Sequence, residues 1–299
     1  MRIAEVAGFA RVRVVRDVDF SDLALLGPEA ARALVYAVDE RAIAKLEKSR
    51  AAAVITTPAL AERIAAPTGL ATSDQPERDF YAIHRALHER TDFYWRDFAT
   101  VIDPSAKVHE RAYVAPRNVR IGARVTVEPN ATVLERVTIG DEATIRAGTV
   151  LGAEGFEFKG PAMRQGRASR ADRDYGARNE RVPHAGSVEI GARVEIQALC
   201  AVDRSLFRVS TFIGDDTKVD NLVHVAHSVR IGRNCLITAG TVIAGSALIG
   251  DGVWIGPGSV ISSGVRIDDG AAIVIGSTIT RDVAAGTRVA SDLKTYRLP

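Results

Sequence analysis

Cysteine is scarce in this chain: only Cys200 and Cys235 occur among 299 residues, and together they form neither a disulfide framework nor a metal-binding motif. Long apolar runs are missing as well. No stretch approaches the roughly 20 residues needed to span a bilayer, and the first residues lack the pattern of a signal peptide. We therefore expect a cytoplasmic protein without a transmembrane segment. Charge of one sign is not in excess, since the net charge is +2, and this balance provides no global attraction to nucleic acid.

A period of six residues is the main signal in the sequence. From Ile213 to Ile279 every sixth residue is a β-branched aliphatic. The members of this series are Ile213, Val219, Val225, Ile231, Ile237, Ile243, Ile249, Ile255, Ile261, Ile267, Ile273 and Ile279. Shorter series with the same spacing are Ile102, Val108 and Val114; Ile121, Val127, Val133, Ile139, Ile145 and Leu151; and Ile190, Ile196 and Val202. An α-helix repeats its apolar face at intervals of 3 and 4, and an amphipathic strand alternates every two residues. A period of six instead predicts a coiled chain with flat sides, in which each side is one hexad long and the aliphatic residue of each hexad points into the coil.

A second period, three hexads long, accompanies the first. Gly214, Gly232 and Gly250 follow their aliphatics at this interval. Three sides per turn predict a triangular coil, and stacked coils bury a continuous core. We expect glycine at these places because a corner requires a backbone conformation that is costly for other residues. Cys235 falls at a small-residue position of the repeat, so we expect it to be buried.

The repeat divides the chain. Residues 1–99 show no hexad; the pattern there predicts a small α/β domain, with a strand in 51–58 and a helix over 76–95. Residues 100–285 carry the hexads and predict a mainly β domain, and 286–299 form a short tail. The hexads are broken at 153–187 and, more briefly, at 203–212; loops that project from a rigid repeat often carry binding.

Three segments resemble one family. LGAEGFEF (151–158), VPHAGSVEIGARVEIQALCAVDRS (182–205) and especially KVDNLVHVAHSVRIG (218–232) are similar to the UDP-3-O-acylglucosamine N-acyltransferases of lipid A (lipopolysaccharide) synthesis. This resemblance implies a left-handed parallel β-helix of hexapeptide repeats. It also implies a homotrimer with active sites between neighbouring subunits, and an acyltransferase that N-acylates a UDP-linked amino sugar.

The resemblance makes His227 the catalytic general base, which takes a proton from the sugar amine as that amine attacks a thioester carbonyl. An imidazole titrates near neutral pH and is suited to this exchange. His227 lies two residues after the inward Val225, at an outward, polar position of the hexad. His224 is expected either to flank the site or to cap a corner. Asp220 or Asn221 is expected to orient an imidazole or to hold substrate.

In the first domain, DQPERDF (74–80) and ALVYAVD (33–39) are similar to family elements that bind the uridine end of the substrate. The resemblance makes Tyr36 and Phe80 the aromatic candidates and Gln75 the polar one, although the family usually has asparagine at the position of Gln75. Simple packing of the two aromatics in the domain core is the alternative.

The acyl donor stays open between acyl carrier protein, which the resemblance favours, and coenzyme A. An arginine-rich loop includes Arg164, Arg167 and Arg170, which suit the phosphate or acid groups of either donor; a solvated loop is the alternative. Two departures from the family bear on the reaction: Gly264 stands where the family has a second histidine, and the C-terminal extension is short. No bound cofactor and no metal site are expected.

Three functions remain compatible with the sequence. The first is a long-chain N-acyltransferase that uses acyl carrier protein. The second is an acetyl-CoA-dependent N-acetyltransferase of a nucleotide-linked amino sugar, and the third is a non-catalytic binding or scaffold protein. The intact DNLVHVAH segment favours an enzyme, and the missing second histidine favours the scaffold.

Overall fold

The computed structural model describes residues 1–27, 30–159 and 179–291. Contacts divide the chain into two units: Met1–Arg96 with Glu157–Pro183, and Asp97–Phe156 with His184–Pro299. The first boundary lies three residues before the predicted one. The predicted insertion 153–187 is divided between the units: among its described residues, 157–159 and 179–183 group with the first unit. Lys159 makes ion pairs there, 3.5 Å from Glu77 and 2.8 Å from Glu157.

The first unit is an α/β unit. Its elements are α1 (Ile3–Val6), β1 (Arg13–Arg16), β2 (Asp22–Leu23), β3 (Ala33–Ala37), α2 (Glu40–Glu47), β4 (Ala53–Thr56), β5 (Gly69–Thr72), α3 (Pro76–Arg90), β15 (Phe158–Lys159) and β16 (Glu180–Arg181), with short 3-10 helices at Ala7–Phe9 and Pro58–Arg63. The main sheet has the order β1-β5-β4-β3-β2 and is parallel except for β1. Its central strands β3 and β4 are almost wholly buried, as is typical of parallel strands covered on both faces.

The predicted strand within 51–58 is confirmed by β4, and the predicted helix over 76–95 is α3. This helix ends at Arg90, five residues earlier than predicted. Thr91 adopts an extended backbone, and its hydroxyl donates a hydrogen bond of 2.6 Å to the Leu87 carbonyl. A threonine side chain that satisfies a helix carbonyl in this way competes with continuation of the helix. Among the described residues, no helix has the length and apolarity needed to cross a membrane.

In the described part of the second unit, short parallel strands stack into three sheets, named here the first, second and third faces. The first face contains β6 (Val101–Ile102), β9 (Val119–Ile121), β12 (Val137–Ile139), β17 (Ser187–Ile190), β20 (Ser210–Ile213), β23 (Arg230–Ile231), β26 (Leu248–Ile249) and β29 (Arg266–Ile267). The second contains β7 (Lys107–Val108), β10 (Thr126–Val127), β13 (Thr144–Ile145), β18 (Glu195–Ile196), β21 (Lys218–Val219), β24 (Leu236–Ile237), β27 (Trp254–Ile255), β30 (Ala272–Ile273) and β32 (Arg288–Val289). The third contains β8 (Tyr113–Val114), β11 (Thr132–Val133), β14 (Val150–Glu154), β19 (Ala201–Arg204), β22 (His224–Val225), β25 (Val242–Ile243), β28 (Val260–Ile261) and β31 (Thr278–Ile279).

The periodic aliphatics form the core of this unit. From Ile121 to Ile279 each of them is at most 4% exposed, and burying one such side chain contributes about 1.5–3 kcal/mol. Ile102 differs, with 41% exposure, because its strand β6 pairs with β9 alone, at the end of the sheet. The predicted left-handed parallel β-helix with a small N-terminal α/β unit is confirmed. β32 carries the coil past the predicted end at residue 285, and Cys235 is fully buried, as predicted.

The coil absorbs both breaks in the hexads without losing its register. In an unbroken stretch, Val133 pairs with Leu151, three hexads along the chain, which is one coil. Val150 pairs with Ala201 although the long break lies between them. Ala201 pairs in turn with His224 across the shorter break. Strands on either side of each break therefore stay on their own faces.

The structure corrects the reason for the glycines that recur once per coil. Neither Gly214, Gly232 nor Gly250 has a positive φ. A Cβ added at Gly232 would lie 2.5 Å from the Gly250 carbonyl oxygen and 2.6 Å from its carbon, and one at Gly214 would lie 2.7 Å from the same atoms of Gly232. The glycines are required because successive coils approach closely at this place. The left-handed corner positions are elsewhere, for example at Leu222 and Gly252.

Candidate active site

His227 lies at the corner that leads from the third face to the first, between β22 and β23. The backbone of this corner is held by its neighbours. The Ala226 N–H donates to the Ile243 carbonyl at 3.0 Å, the Ser246 N–H donates to the His227 carbonyl at 3.0 Å, and the Ser228 N–H donates to the Thr211 hydroxyl at 2.9 Å. The imidazole is half-buried and not fully outward as the hexad position predicted, and its Nδ1 is buried.

A second histidine packs against His227. The ring of His184 lies with its centroid 5.4 Å from that of His227, at an interplanar angle of 68°, an edge-to-face arrangement. His184 is fully buried. Sequence reasoning missed it: His184 stands in the segment VPHAGS that carried the resemblance, but it lies at the end of the long break, where no period predicts its neighbours.

His224 lies on the third face, in β22, with its side chain 42% exposed. Its Nε2 is 3.6 Å from the Asp203 carboxylate, whose side chain is only 10% exposed. Burial raises the pKa of Asp203 from 3.8 to about 6, although His224 opposes this rise. His224 is thus placed in a polar pair beside the corner. Asp203 was not among the predicted residues; it lies in VDRS, at the start of the second break.

The raised pKa of Asp203 predicts a pH dependence of stability. Between pH 4 and 6 the folded chain holds a proton on Asp203 that the unfolded chain has released, so the free energy of unfolding falls as the pH rises through this window. Burial lowers the pKa of His84 to about 4, and this gives the wild-type chain an opposing rise over much of the same window. The contribution of Asp203 is therefore measured as a difference: in denaturant unfolding at several pH values, the free energy of unfolding should fall less, or rise more, between pH 4 and 6 in Asp203→Asn than in the wild-type chain. An unchanged pH profile in that variant would contradict the assignment.

Asp220 and Asn221 lie at a different corner, between β21 and β22. Some of their described hydrogen bonds join neighbouring coils. The Asp220 carboxylate accepts from the Ala239 N–H at 3.2 Å and from both nitrogens of Asn221, at 2.7 and 2.8 Å. The Asn221 side-chain oxygen accepts from the Ala198 N–H at 3.1 Å. The hydrogen bonds described for these two side chains go to the backbone or to each other, and not to an imidazole.

The uridine candidates lie in the first unit. Phe80 is fully buried, with its ring centroid 5.1 Å from that of Tyr36, so it packs behind the tyrosine. Tyr36 is half-buried and forms a 3.2 Å hydrogen bond with Glu77; burial, together with the nearby Tyr81 and Glu77, raises its pKa, so its hydroxyl stays neutral. Gln75 is exposed, and its side-chain oxygen accepts a hydrogen bond of 2.9 Å from Arg78.

The remaining predicted residues give no further site geometry. Arg164, Arg167 and Arg170 lie outside the described residues. Gly264 is a corner residue with a φ of +70°, and a Cβ added there would meet no atom within 4 Å. Within the described ranges, no group of three or more His, Cys, Asp or Glu side chains could hold a metal ion.

The repeated coils match a known family. The sequence model of the bacterial transferase hexapeptide family (six repeats) matches residues 118–153 and 210–245. These two segments are similar to the hexapeptide repeats of that family. Individual proteins that are similar in sequence support the resemblance to the UDP-3-O-acylglucosamine N-acyltransferases. A UDP-3-O-acylglucosamine N-acyltransferase of Caulobacter vibrioides is 40% identical over 129 residues, which cover 43% of this chain and 32% of the relative. One of Bradyrhizobium sp. is 29% identical over 227 residues, covering 65% of this chain and 59% of the relative.

These matches confirm the resemblance to the UDP-3-O-acylglucosamine N-acyltransferases. In several of these relatives the matched region covers only about a third of the relative's length, between 28% and 37%. Among solved structures, a UDP-N-acetylglucosamine acyltransferase of Bacteroides fragilis is 24% identical with a TM-score of 0.43, and the match covers 62% of this chain and 66% of that one.

Proposed function

We propose that this hexapeptide-repeat protein is an N-acyltransferase that moves an acyl group from a thioester donor, the thioester of acyl carrier protein, to the amine of a UDP-linked amino sugar, as in lipid A biosynthesis. The observation that carries the proposal is the half-buried imidazole of His227, at a corner braced by the backbone and by His184, within the segment DNLVHVAH. Similarity to relatives named UDP-3-O-acylglucosamine N-acyltransferase supports the choice of acceptor.

In the proposed reaction the amine nitrogen attacks the carbonyl carbon of the thioester, and Nε2 of His227 takes a proton from that nitrogen. The tetrahedral intermediate collapses to the amide and expels the thiolate, which takes up a proton. An imidazole is the side chain suited to this work, because its ordinary pKa lies near neutral pH. His224 and Asp203 flank the site and place a polar pair on the third face.

We place the uridine of the acceptor on the first unit. Tyr36 offers a partly exposed ring for stacking, with Phe80 as its support, and the exposed amide of Gln75 can hydrogen-bond a base edge. Phe80 itself is covered, so the role predicted for it as a stacking ring passes to Tyr36.

The donor assay tests this function directly. With a UDP-linked 3-O-acylated glucosamine as acceptor, the purified protein should form the N-acylated product from a long-chain thioester of acyl carrier protein. Its kcat/KM with acetyl-CoA should be at least about 100-fold lower, since a site shaped for a long chain loses its apolar contacts with a short one. UDP-N-acetylglucosamine, whose amine is already acylated, is the control acceptor. Efficient use of acetyl-CoA alone would support the N-acetyltransferase, and no product from either donor would support the scaffold.

We also propose a homotrimer assembled through the third face. The residue directly before each inward aliphatic points outward, and on the third face none of these residues is Asp, Glu, Lys or Arg; they are Tyr113, Thr132, Val150, Ala201, His224, Val242, Val260 and Thr278. The corresponding positions of the first face include Arg120, Glu189, Arg230 and Arg266, and those of the second include Lys107, Glu195, Lys218 and Arg288. Charged residues are depleted at the core of protein interfaces, which favours the third face.

Sedimentation should therefore give about three times the 32.0 kDa of one chain. Val242→Glu, on the third face, should shift the protein towards monomer, because it buries a charge in the interface. Leu236→Glu is the matched control: Leu236 is 48% exposed but lies on the second face. A stable monomer at micromolar concentration, or equal effects of the two variants, would argue against this interface.

A further inference from the structure

The two ends of the long break in the coil come together at His227. Gly155 stands near its beginning and His184 near its end, and both lie in the same unit as His227. A Cβ added at Gly155 would lie 2.7 Å from Nε2 of His184 and 3.2 Å from Cδ2 of His227. The break therefore leaves and re-enters the β-helix beside the proposed base.

His184 is held in place by the segment that follows it. The Ala185 and Gly186 N–H groups donate to the carbonyls of Leu206 and Ser205, each at 2.9 Å. The Ala185 carbonyl accepts a hydrogen bond of 3.0 Å from Arg136. With the two residues after it hydrogen-bonded and its side chain fully buried, the His184 ring has little freedom to move.

His227 is enclosed from the opposite side by the next coil. A Cβ added at Gly245 would lie 2.7 Å from both Cε1 and Nε2 of His227. The imidazole thus lies in a slot, with the His184 ring on one side and the bare backbone of Gly245 on the other. The absence of a side chain at Gly245 leaves the space that the His227 ring occupies. The His184 ring fills the space into which the His227 ring could otherwise rotate.

We propose that His184 is a positioning residue for His227: its buried ring restricts the rotamers of the imidazole and points Nε2 out of the corner. His184 is too deeply buried to touch a substrate, so it acts through His227. The benefit is one of orientation, since a misplacement of about 1 Å in a reacting group can lower a rate by about 10²-fold. The inference rests on the proposed function for its kinetic effect, but the positioning itself can be measured without any substrate.

The test compares His184→Ala and His184→Phe with the wild-type protein by two readouts. The first is the rate at which diethyl pyrocarbonate modifies His227, followed by mass spectrometry of the peptide. In His184→Ala we expect this rate to rise several-fold, while the rates at His109 and His224 stay unchanged. In His184→Phe, which keeps a ring in the slot, the rate should stay close to that of the wild type.

The second readout is turnover. His184→Ala should lower kcat by about 10- to 100-fold, with the KM values of donor and acceptor changed little. His184→Phe should recover most of this loss, and His109→Ala, which removes a histidine far along the chain, should have no effect. Gly155→Ala adds a Cβ against both the His184 and the His227 ring and should also change the modification rate of His227, so the inference does not depend on one buried variant.

The outcomes separate the two proposals. If His184→Ala and Gly155→Ala both leave the modification rate of His227 unchanged, the positioning role is wrong. It is equally wrong if His227 is modified as fast in His184→Phe as in His184→Ala, because then the ring is not what matters. If the modification rates change as expected but kcat does not, positioning is supported and the assignment of His227 as the base fails.

Discussion

Replacing His227 with alanine is expected to lower kcat by about 10²- to 10⁴-fold, the usual contribution of a general base. The amine of the sugar must lose a proton as it attacks the thioester, and Nε2 of His227 is the group proposed to take it. The fold should persist, because the side chain is half-buried at a corner and makes no part of the periodic core. Steady-state kinetics with both substrates, together with circular dichroism, measure the two effects separately.

The matched control is His224→Ala, three residues earlier on the same turn of the coil. The His224 side chain is 42% exposed and pairs with Asp203 at 3.6 Å, so its loss should cost about tenfold or less in kcat. The informative quantity is the difference in kcat between the two variants. If His227→Ala kept near-normal turnover on the true acceptor, or if His224→Ala were the more damaging change, the base would have to be sought elsewhere.

Substitution of Gly232 by alanine is expected to destabilise the β-helix by about 3 kcal/mol, near the upper end of what overpacking costs. The new Cβ would lie 2.5 Å from the carbonyl oxygen of Gly250 in the next coil. Backbone atoms on both sides are bonded into the sheets, so they cannot give way as a flexible side chain would. The free energy of unfolding from denaturant titration, supported by the melting temperature, measures the effect.

Gly252→Ala supplies the comparison. Gly252 has a φ of +65°, but a Cβ added there would meet no atom within 4 Å. Only the strain of a left-handed backbone would arise, and this costs about 1–2 kcal/mol. Gly8→Ala, with open space and no positive φ, should be nearly neutral. A loss of stability at Gly232 no larger than that at Gly252 would argue against close coil spacing as the reason for glycine at 232.

The hexads made most of the fold predictable, because one rule, an inward aliphatic every six residues, applies to coil after coil. The same rule could not locate His184 or Asp203. Both lie where a break interrupts the hexads, and their neighbours in space depend on inserted residues that no period counts. The reason for the glycine period was wrong for a different cause: a left-handed turn and a close backbone approach both exclude side chains, and the sequence alone does not distinguish them.

In the first unit, too, the sequence pattern predicted which residues matter, but only the packing determined which of them are exposed. The aromatic residues Tyr36 and Phe80 were predicted together, and the sequence could not say which ring would be exposed. Phe80 lies within α3 and is covered where this helix packs on the sheet, whereas Tyr36, in β3, stays partly open. This burial depends on how the helix packs on the sheet, and hydrophobic periodicity over a few residues does not specify that packing.

The separation of three hexads between paired strands limits how such a chain can change in length. Deleting residues 244–261 would remove one complete coil and leave every later strand on its own face. Deleting only 244–249 would still leave an aliphatic pointing inward in each hexad, so the coil could form. Each later strand would, however, move back to the preceding face, and Arg266 would come to lie on the third face in line with Val242. Insertions and deletions of one hexad are therefore compatible with folding, whereas those of a whole coil also preserve the uncharged surface of the third face.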